Sequence, residues 1–366
     1  MTNVGRDNIF YFNANTQHQN YGDLVINREL LLLAQSYGKI NLFRGGMPKK
    51  YIDAVCVGSE KIHNNFYIFV WDILITAFMC KVSKSNRKVY FLLNPGGFSG
   101  GLSFKSWIKQ LVIILQYSVL YILGVRIIRL GASFGPFSKG RAYIERLKNK
   151  FIYWNSARDS DSVSYGIENG LVNMHFFPDL AFLTKPVASG DSYISKEYFL
   201  MSFRCEESES YNLNLKEVVA KISSAAYSEN FGKCVFTSQV LFDVEWNIQL
   251  VELVKRNNIE ACYENCSEDE LMGVYSGALA VFSNRLHVLL FAMRQGAKVF
   301  PVVDIYKNKK IVGIFKDIGL SDMIIDINKP FDGIPNVSPG YYDIVKTIFN
   351  RNSVSAVSTF EGILSS

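Results

Sequence analysis

Residues 267–301 read SEDELMGVYSGALAVFSNRLHVLLFAMRQGAKVFP, and the spacing of apolar residues along this stretch changes from helical to extended and back again. Ser267 and the glutamate three positions later have the spacing of a capping box, which predicts the start of a helix. The apolar run Ala280–Phe282 then has the length of a short buried strand. A second helix is expected to follow Ser283 and to end at Gly296, because glycine is common just after a helix. Helix, strand and helix in this order are typical of an α/β fold.

The same alternation of short apolar runs and longer helical segments extends over the whole chain, and signals for tight hairpins are few. Strands that are connected through helices pair in parallel, so this pattern predicts parallel sheets. The runs expected to form strands are Ile9–Asn13, Ile40–Arg44, Val89–Leu93, Arg126–Leu130, Ile152–Asn155, the approach to Pro178, Phe199–Phe203, Cys234–Thr237, Ile259–Tyr263, Ala280–Ser283, Val299–Val303 and Met323–Ile327.

The chain has 366 residues, which is more than one ordinary hydrophobic core needs and suits two domains. Residues 183–197 are mostly polar and include Pro186 and Gly190, a composition typical of a linker. We therefore predict two Rossmann-like α/β domains with parallel sheets, at residues 1–185 and 198–366, and a cleft between them. In such domains, ligands bind outside the carboxyl ends of the strands.

The composition narrows the class of protein. Hydrophobic residues make up 49% of the chain and charged residues 20%, and the mean hydropathy is +0.09, which together exclude an intrinsically disordered chain. The six cysteines form no CxxC pair and no cluster with histidine, so we expect neither a disulfide scaffold nor a metal site. The N-terminal sequence carries no secretory signal pattern, and a cytoplasmic location is expected.

Charge is distributed unevenly along the chain. Residues 1–185 contain 22 Lys and Arg against 11 Asp and Glu, whereas residues 186–366 contain 17 against 22. A basic first half indicates a surface that faces an anionic partner, and the alternative is an ordinary solvated surface. A nucleic-acid partner is not expected, because the basic excess is diffuse and the aromatic residues fit a core.

Two apolar segments raise the question of membrane contact. Gln110–Val125 is 16 residues without a charge, which is shorter than the roughly 20 residues that a spanning helix needs, so a buried helix leading into a strand is favoured. Lys105, Trp107 and Lys109 precede this run, and such residues also suit a surface that docks on anionic lipid. The earlier segment Phe66–Cys80 is assigned to the core.

Two side chains that can carry positive charge stand in the first turn of the helix predicted after Ser283. Arg285 and His287 are misplaced there by electrostatics alone, because the positive end of the helix dipole favours anions. They fit if the same turn binds an anion such as phosphate or carboxylate. The alternative is that Arg285 pairs with an acidic side chain and that His287 belongs to the core. Arg204, at the end of another predicted strand, is a second candidate cation for the same ligand.

These segments, taken in order along the chain, resemble the polysaccharide pyruvyl transferase family. The likeness covers nearly the whole chain, and Ser283-x-Arg285-Leu286-His287 is its most specific part. The other matching pieces are Asn20-x-Gly22-Asp23, Gly96-Gly97, Ser133-x-Gly135-Pro136-Phe137, Arg158-Asp159-x-x-Ser162, Pro178-Asp179-Leu180-Ala181-Phe182, the strand that ends at Arg204, and Gly296 and Pro301.

The resemblance implies a GT-B-like fold and the transfer of pyruvate from phosphoenolpyruvate to a sugar of a surface polysaccharide, with a pyruvate ketal as product. Arg204 and Arg285 would bind the donor's phosphate and carboxylate, His287 would be the general acid, and no metal or redox cofactor would take part. Asp23 is a candidate base on the acceptor side. The expected donor-side residues are Arg204, Ser283, Arg285, Leu286, His287 and either Lys309 or Lys310, of which we take Lys310. The expected acceptor-side residues are Asn20, Gly22, Asp23, Gly96 and Gly97.

Two other functions stay open at this point. A GT-B glycosyltransferase would use a nucleotide sugar, and a glycan-assembly subunit without activity would have kept only the fold. Retention of Arg204, Arg285 and His287 argues against the inactive subunit. If the acceptor glycan is linked to undecaprenyl diphosphate, the basic first half and residues 104–125 are expected to face the inner side of the cell membrane as a peripheral contact.

Overall fold

The computed structural model describes residues 7–84, 86–186, 196–267 and 270–366, which form two α/β units. Of these residues, the first unit contains 7–18, 23–180 and 352–366, and the second contains 19–22 and 181–351. The division differs from the predicted one, since residues 19–22 and 181–185 belong to the second unit and the last 15 residues to the first. Most of the predicted linker, residues 187–195, lies outside the described residues.

The first unit is built on a parallel sheet with helices between its strands. Its strands are β1 (Asn8–Asn13), β2 (Gly38–Phe43), β3 (Lys61–His63), β4 (Val89–Leu93), β5 (Gly97–Gly100), β6 (Arg126–Phe137), β7 (Ile152–Ala157) and β8 (Met174–Phe176). Its helices are α1 (Tyr21–Gln35) from its third residue on, α2 (Lys49–Val55), α3 (Phe66–Val82), α4 (Phe104–Ile122), α5 (Lys139–Asn149) and α6 (Ser160–Glu168). The strand order is β3-β2-β1-β4-β6-β7-β8, and β5 pairs with β6, so the order reverses between β1 and β4.

The second unit repeats this plan on a sheet of six parallel strands. Its strands are β9 (Tyr198–Ser202), β10 (Lys233–Phe236), β11 (Ala261–Tyr263), β12 (Ala278–Ser283), β13 (Lys298–Val303) and β14 (Ile325–Asp326). Its helices are α7 (Glu209–Ser228), α8 (Val244–Lys255), α9 (Leu271–Gly277), α10 (Leu286–Arg294), α11 (Lys309–Asp317) and the first part of α12 (Tyr341–Ser365). The order β11-β10-β9-β12-β13-β14 reverses between β9 and β12. The predicted pair of parallel-sheet α/β units is therefore confirmed.

The stretch 267–301 folds largely as its pattern predicts. The Glu270 carboxylate accepts the backbone N–H and the hydroxyl of Ser267 at 2.8 and 2.7 Å, which is the glutamate half of the predicted capping box. The other half is not formed, because the Ser267 hydroxyl donates instead of accepting and the N-cap residue of α9 is Glu270. Every residue from Val288 to Met293 is fully buried, so α10 is a core helix. Gly296 follows it with φ +78°, a conformation that favours glycine.

Two glycine-containing segments of the first unit are partly extended, where turns would be expected from composition. Residues Gly97–Gly100 form the short strand β5, and the segment from Gly131 to Phe137 continues β6 instead of turning. Strand propensity is low for glycine, so composition alone favoured a turn at both places. The three-residue strand β3 was not predicted either.

The two apolar segments do not form a core helix or a spanning helix. No helix within the described residues is long and apolar enough to cross a membrane. The assignment of Phe66–Cys80 to the core is wrong for most of α3, where Phe69, Ile73 and Ala77 are the fully buried side chains. On α4, Leu120 is buried, whereas most of the large apolar side chains are exposed.

Candidate functional site

The loops that follow β9 and β12 meet at the reversal point of the second sheet, where ligands of such folds bind. Asn284 joins the two loops through hydrogen bonds from its side chain to the backbone of Arg204. Its Oδ1 accepts the backbone N–H of Arg204 at 2.7 Å, and its Nδ2 donates to the backbone oxygen of Arg204 at 2.9 Å. The same Nδ2 donates to the Tyr211 hydroxyl at 3.1 Å. Arg204 and the start of α10 are thus fixed side by side.

Ser283 is fully buried, which removes its side chain from any ligand. Its hydroxyl donates to the backbone oxygen of Ser202 and accepts the backbone N–H of Arg285. Leu286 is buried as well, with 9% of its surface exposed, so its side chain packs inward. Both side chains serve the packing of the β12–α10 turn, and the predicted role of this turn in donor binding stays a prediction.

Arg285 is held in an ion pair instead of facing an open site. Its Nε and Nη2 donate to the two carboxylate oxygens of Asp243 at 2.8 and 2.6 Å. Asp243 is 3% exposed, and burial raises the pKa of its carboxyl while Arg285 opposes that shift. The alternative weighed for this arginine, a pair with an acidic side chain, is therefore observed, and direct binding of the donor by Arg285 stays a prediction. Arg285 positions the turn through Asp243, a partner that the sequence spacing did not reveal.

Asn247 extends this network to the neighbouring loop. It accepts the backbone N–H of Phe203 at 2.9 Å and donates to the backbone oxygens of Phe203 and Asp243 at 2.9 and 2.8 Å. The loops after β9, β10 and β12 are therefore tied together by two asparagines, Asn247 and Asn284. Buried polar networks whose members are hydrogen-bonded make the local structure rigid, so these three loops are held in fixed positions.

The guanidinium of Arg204 is accessible to a ligand at this site. Its side chain is 52% exposed, and its Nε lies 3.4 Å from a carboxylate oxygen of Glu206. Lys307 is a second accessible cation in this region, with its Nζ 5.9 Å from the centre of the Tyr211 ring and 4.0 Å from a carboxylate oxygen of Asp304. Burial raises the pKa of Tyr211 to about 12, so its phenol is neutral and can donate at neutral pH. Lys310, the predicted donor-side lysine, lies in the first turn of α11 and is half-buried.

His287 lies against Gly22, which belongs to the second unit. A Cβ on Gly22 would come within 2.3 Å of His287 Nδ1 and 2.9 Å of its Cβ, so only glycine fits there. Asn20 Oδ1 accepts the Gly22 N–H at 3.0 Å and fixes the turn. The imidazole stacks on Phe291, with 5.7 Å between ring centres. Asn20 and Gly22, predicted on the acceptor side, are thus placed beside the predicted general acid.

The remaining predicted residues lie in the first unit. Gly96 and Gly97 follow β4 at the reversal point of the first sheet, and Asp23 lies in the first turn of α1. Asn94 Nδ2 donates to the backbone oxygen of Asn15 at 3.0 Å and joins the loops after β1 and β4. No atom lies within 4 Å of a Cβ placed on Gly96, whose φ is +151°. Their acceptor role stays a prediction.

Comparison with solved structures shows the fold. A trehalose-6-phosphate synthase matches with a TM-score of 0.55 at 9% identity over 98% of this chain and 99% of its own. The UDP-GlcNAc 2-epimerase from Methanocaldococcus jannaschii gives 0.53 at 11% identity over 98% and 100%. The UDP-GlcNAc 2-epimerase from Neisseria meningitidis, bound to UDP-GlcNAc, gives 0.52 at 10% over 98% and 99%. These likenesses support the GT-B-like class that was predicted.

Comparison with families is more specific. No curated protein matches this sequence. The family model for polysaccharide pyruvyl transferase matches residues 7–304, a span that includes β1, Gly22, Arg204 and the β12–α10 turn. The resemblance found in the motifs is confirmed, and the chain belongs to the polysaccharide pyruvyl transferase family.

Proposed function

We propose that this transferase moves the pyruvate unit of phosphoenolpyruvate to two hydroxyls of one sugar, in a surface polysaccharide or its lipid-linked precursor. The observation that carries the proposal is the fixed pairing of Arg204 with the start of α10. Asn284 holds the backbone of an exposed arginine next to a helix N-terminus and to His287. A small trianionic donor suits a cation and a positive helix end in one place.

The ion pair of Arg285 changes which residues we expect to bind the donor. Because its guanidinium is engaged by Asp243, the charge of phosphoenolpyruvate is assigned to Arg204 and to the N–H groups at the start of α10, with Lys307 and Lys310 as further candidate cations. Arg285 keeps the turn in place and is a positioning residue. Phosphoenolpyruvate is a substrate in this scheme, and the reaction is redox-neutral.

His287 is assigned the first proton transfer. It donates a proton to C3 of the enol, and the π electrons of the C2–C3 bond form the new C–H bond. One sugar hydroxyl attacks C2, the C2–O bond to phosphorus breaks, and phosphate leaves with the electron pair. A second hydroxyl then closes the ketal on C2. Of the two hydroxyl protons, one replaces the proton lost by His287 and the other leaves with phosphate.

The test is phosphate release from phosphoenolpyruvate in the presence of candidate oligosaccharides, with mass spectrometry of the glycan. We expect phosphate release and a glycan that gains the mass of one pyruvate ketal. Arg204→Ala should chiefly raise KM for phosphoenolpyruvate, and His287→Gln should chiefly lower kcat. Lys221→Ala, an exposed lysine on α7, is the control and should change neither.

A parallel incubation with labelled nucleotide sugars separates the main alternative. Transfer of a sugar from a nucleotide, with no pyruvate gain on the glycan, would reject the proposal and make the chain a glycosyltransferase. Pyruvate transfer at the full rate in both Arg204→Ala and His287→Gln would mean that this site does not catalyse the reaction.

A further inference from the structure

The first unit carries a large apolar surface on two neighbouring helices. Sixteen of the thirty exposed large hydrophobic side chains in the described residues lie between Ile62 and Ile122. We call the outward side chains of α3 from Tyr67 to Val82 and of α4 from Ile108 to Ile122 the α3–α4 surface. Trp71 and Leu115, for example, are 62% and 64% exposed.

The exposed residues follow helical spacing, which places them on one face of each helix. On α3 they recur at Ile68, Trp71, Ile75 and Val82, and on α4 at Ile108, Leu111, Leu115, Val119 and Ile122. The opposite faces are buried in one cluster that contains Phe69, Ile73, Ala77 and Leu120. Both helices therefore cover the sheet with one apolar face and present a second apolar face outward.

The two outward faces are continuous at the helix ends. Lys81 near the end of α3 donates from its Nζ to the backbone oxygen of Ile122, the last residue of α4, at 2.9 Å. Soluble monomers seldom expose a contiguous apolar patch larger than a few hundred Å². The exposed apolar side chains of these two helices, which meet at their ends, therefore indicate a binding surface.

The charge around the surface is almost entirely positive. Residues 61–125 contain seven Lys and Arg and a single acid, Asp72, so this segment alone equals the net charge of +6 of the whole chain. Asp72 is already engaged, at 2.8 Å from Lys61 Nζ and 2.8 Å from the Tyr11 hydroxyl. Lys105 and Lys109 are exposed in the first two turns of α4. The rim of the apolar surface is thus cationic.

We propose that the α3–α4 surface docks on a lipid bilayer that contains anionic headgroups. Apolar side chains that enter the headgroup region, rings such as Trp71 and Tyr67 at its level, and lysines at the rim are the features of interfacial binding. A second copy of the chain is disfavoured as occupant, because pairing two such rims would bring like charges together. Docking of this surface on a membrane does not depend on the identity of the donor.

The experiment is flotation of the full chain with vesicles of phosphatidylglycerol and phosphatidylcholine, compared with vesicles of phosphatidylcholine alone. We expect the protein to float with the anionic vesicles and to be released as salt rises. The variant Ile75→Glu with Leu111→Glu should weaken binding at least tenfold, because both side chains point outward. Leu213→Glu, 61% exposed on α7, is the matched control and should bind as the wild type does.

A second pair of variants tests the charges. Lys105→Gln with Lys109→Gln should weaken binding about thirtyfold, whereas Lys221→Gln with Lys255→Gln in the second unit should not. Protein that stays in the soluble fraction, or binding that survives Ile75→Glu with Leu111→Glu, would overturn the proposal. Light scattering provides a further check. If the wild type is a stable dimer and Ile75→Glu with Leu111→Glu is a monomer, the proposal is overturned and the surface is an interface between copies. Phosphate release with a water-soluble acceptor should be unchanged in every variant, so a failure here is distinct from failure of the proposed reaction.

Discussion

Arg285 illustrates how one buried partner decides what an arginine can do. The sequence indicated an unusual cation at the start of a helix, and of the two interpretations that it left open, binding of an anionic ligand was preferred to an internal ion pair. The choice depended on Asp243, which lies 42 residues earlier and reaches the turn only because β10 and β12 flank β9. No spacing rule connects residues that a sheet brings together in this way.

The ion pair makes a prediction for stability that reverses the expectation for an exposed anchor. Arg285→Ala leaves the carboxylate of Asp243 buried without its partner, which should cost about 3–5 kcal/mol of unfolding free energy. Denaturation in urea measures this loss. Arg204→Ala is the control and should cost less than about 0.5 kcal/mol, because that side chain is half exposed. Adding Asp243→Asn to Arg285→Ala should recover part of the loss, and an unchanged Arg285→Ala variant would show that the pair contributes nothing.

Gly22 makes a second prediction at the same scale. Gly22→Ala places a Cβ 2.3 Å from His287 Nδ1, so the imidazole must shift and its aim at a bound donor changes. Turnover should fall by at least about tenfold, with a stability loss of about 1–3 kcal/mol from overpacking. Steady-state phosphate release and urea denaturation give the two readouts. Gly362→Ala on α12 meets no atom within 4 Å, so it should leave turnover unchanged and raise stability slightly, because alanine is the better helix former. An equal loss of turnover at the two positions would exclude a role for the contact with His287.

At the scale of elements, the sequence predicted what local pattern controls. Strands such as Phe199–Phe203 and Val299–Val303 were found because they are short, apolar and followed by helical spacing. The strands β3 and β5 were missed, since three residues or a run of glycines give no such pattern. The exposed face of α3 could not be found either, because a helix that is apolar on all sides does not reveal which side meets the sheet.

Helix α5 gives a prediction that belongs to an element and its packing. Glu145 is buried on it among three cations, with its carboxylate 2.5 Å from Lys148, 3.0 Å from Arg141 and 3.4 Å from Arg129. Glu145→Gln would leave these cations without an anion and should cost about 3–5 kcal/mol at neutral pH. Glu217→Gln, an exposed pairing on α7, should cost less than about 0.5 kcal/mol.

The pH dependence of that loss follows from the pKa of Glu145. Burial alone would raise this pKa, but Arg129 and Lys148 outweigh it and hold it below the ordinary value. The stabilisation is therefore complete above the pKa of the unfolded chain and is lost as pH falls through the lower pKa of the folded state. The stability difference between wild type and Glu145→Gln should be largest near pH 7 and should vanish in acid. A difference that stays constant with pH would show that the charge of Glu145 is not its cause.

At the scale of the whole molecule, the last helix serves both units. Tyr341 near its start donates to the backbone oxygen of Ala297 in the second unit. Residues 352–366 belong to the first unit, where Lys88 Nζ donates to the backbone oxygen of Leu364 at 2.9 Å. A division of the sequence at its linker assigned all of this helix to the second domain, because amphipathic spacing shows that a helix packs but not what it packs against.

Two phenylalanines on α12 should therefore affect different units. Phe360, fully buried, contacts Phe10 and Tyr37 of the first unit, with 6.1 and 5.6 Å between ring centres, whereas Phe349 contacts Phe182 of the second at 5.1 Å. Each substitution to alanine opens a cavity that should cost about 3–5 kcal/mol. Hydrogen exchange read by mass spectrometry should show lost protection in β1 and β4 for Phe360→Ala, and in β12 and β13 for Phe349→Ala. Because each variant is the control for the other, identical exchange patterns would mean that the chain unfolds as one cooperative body and that the division within α12 has no energetic meaning.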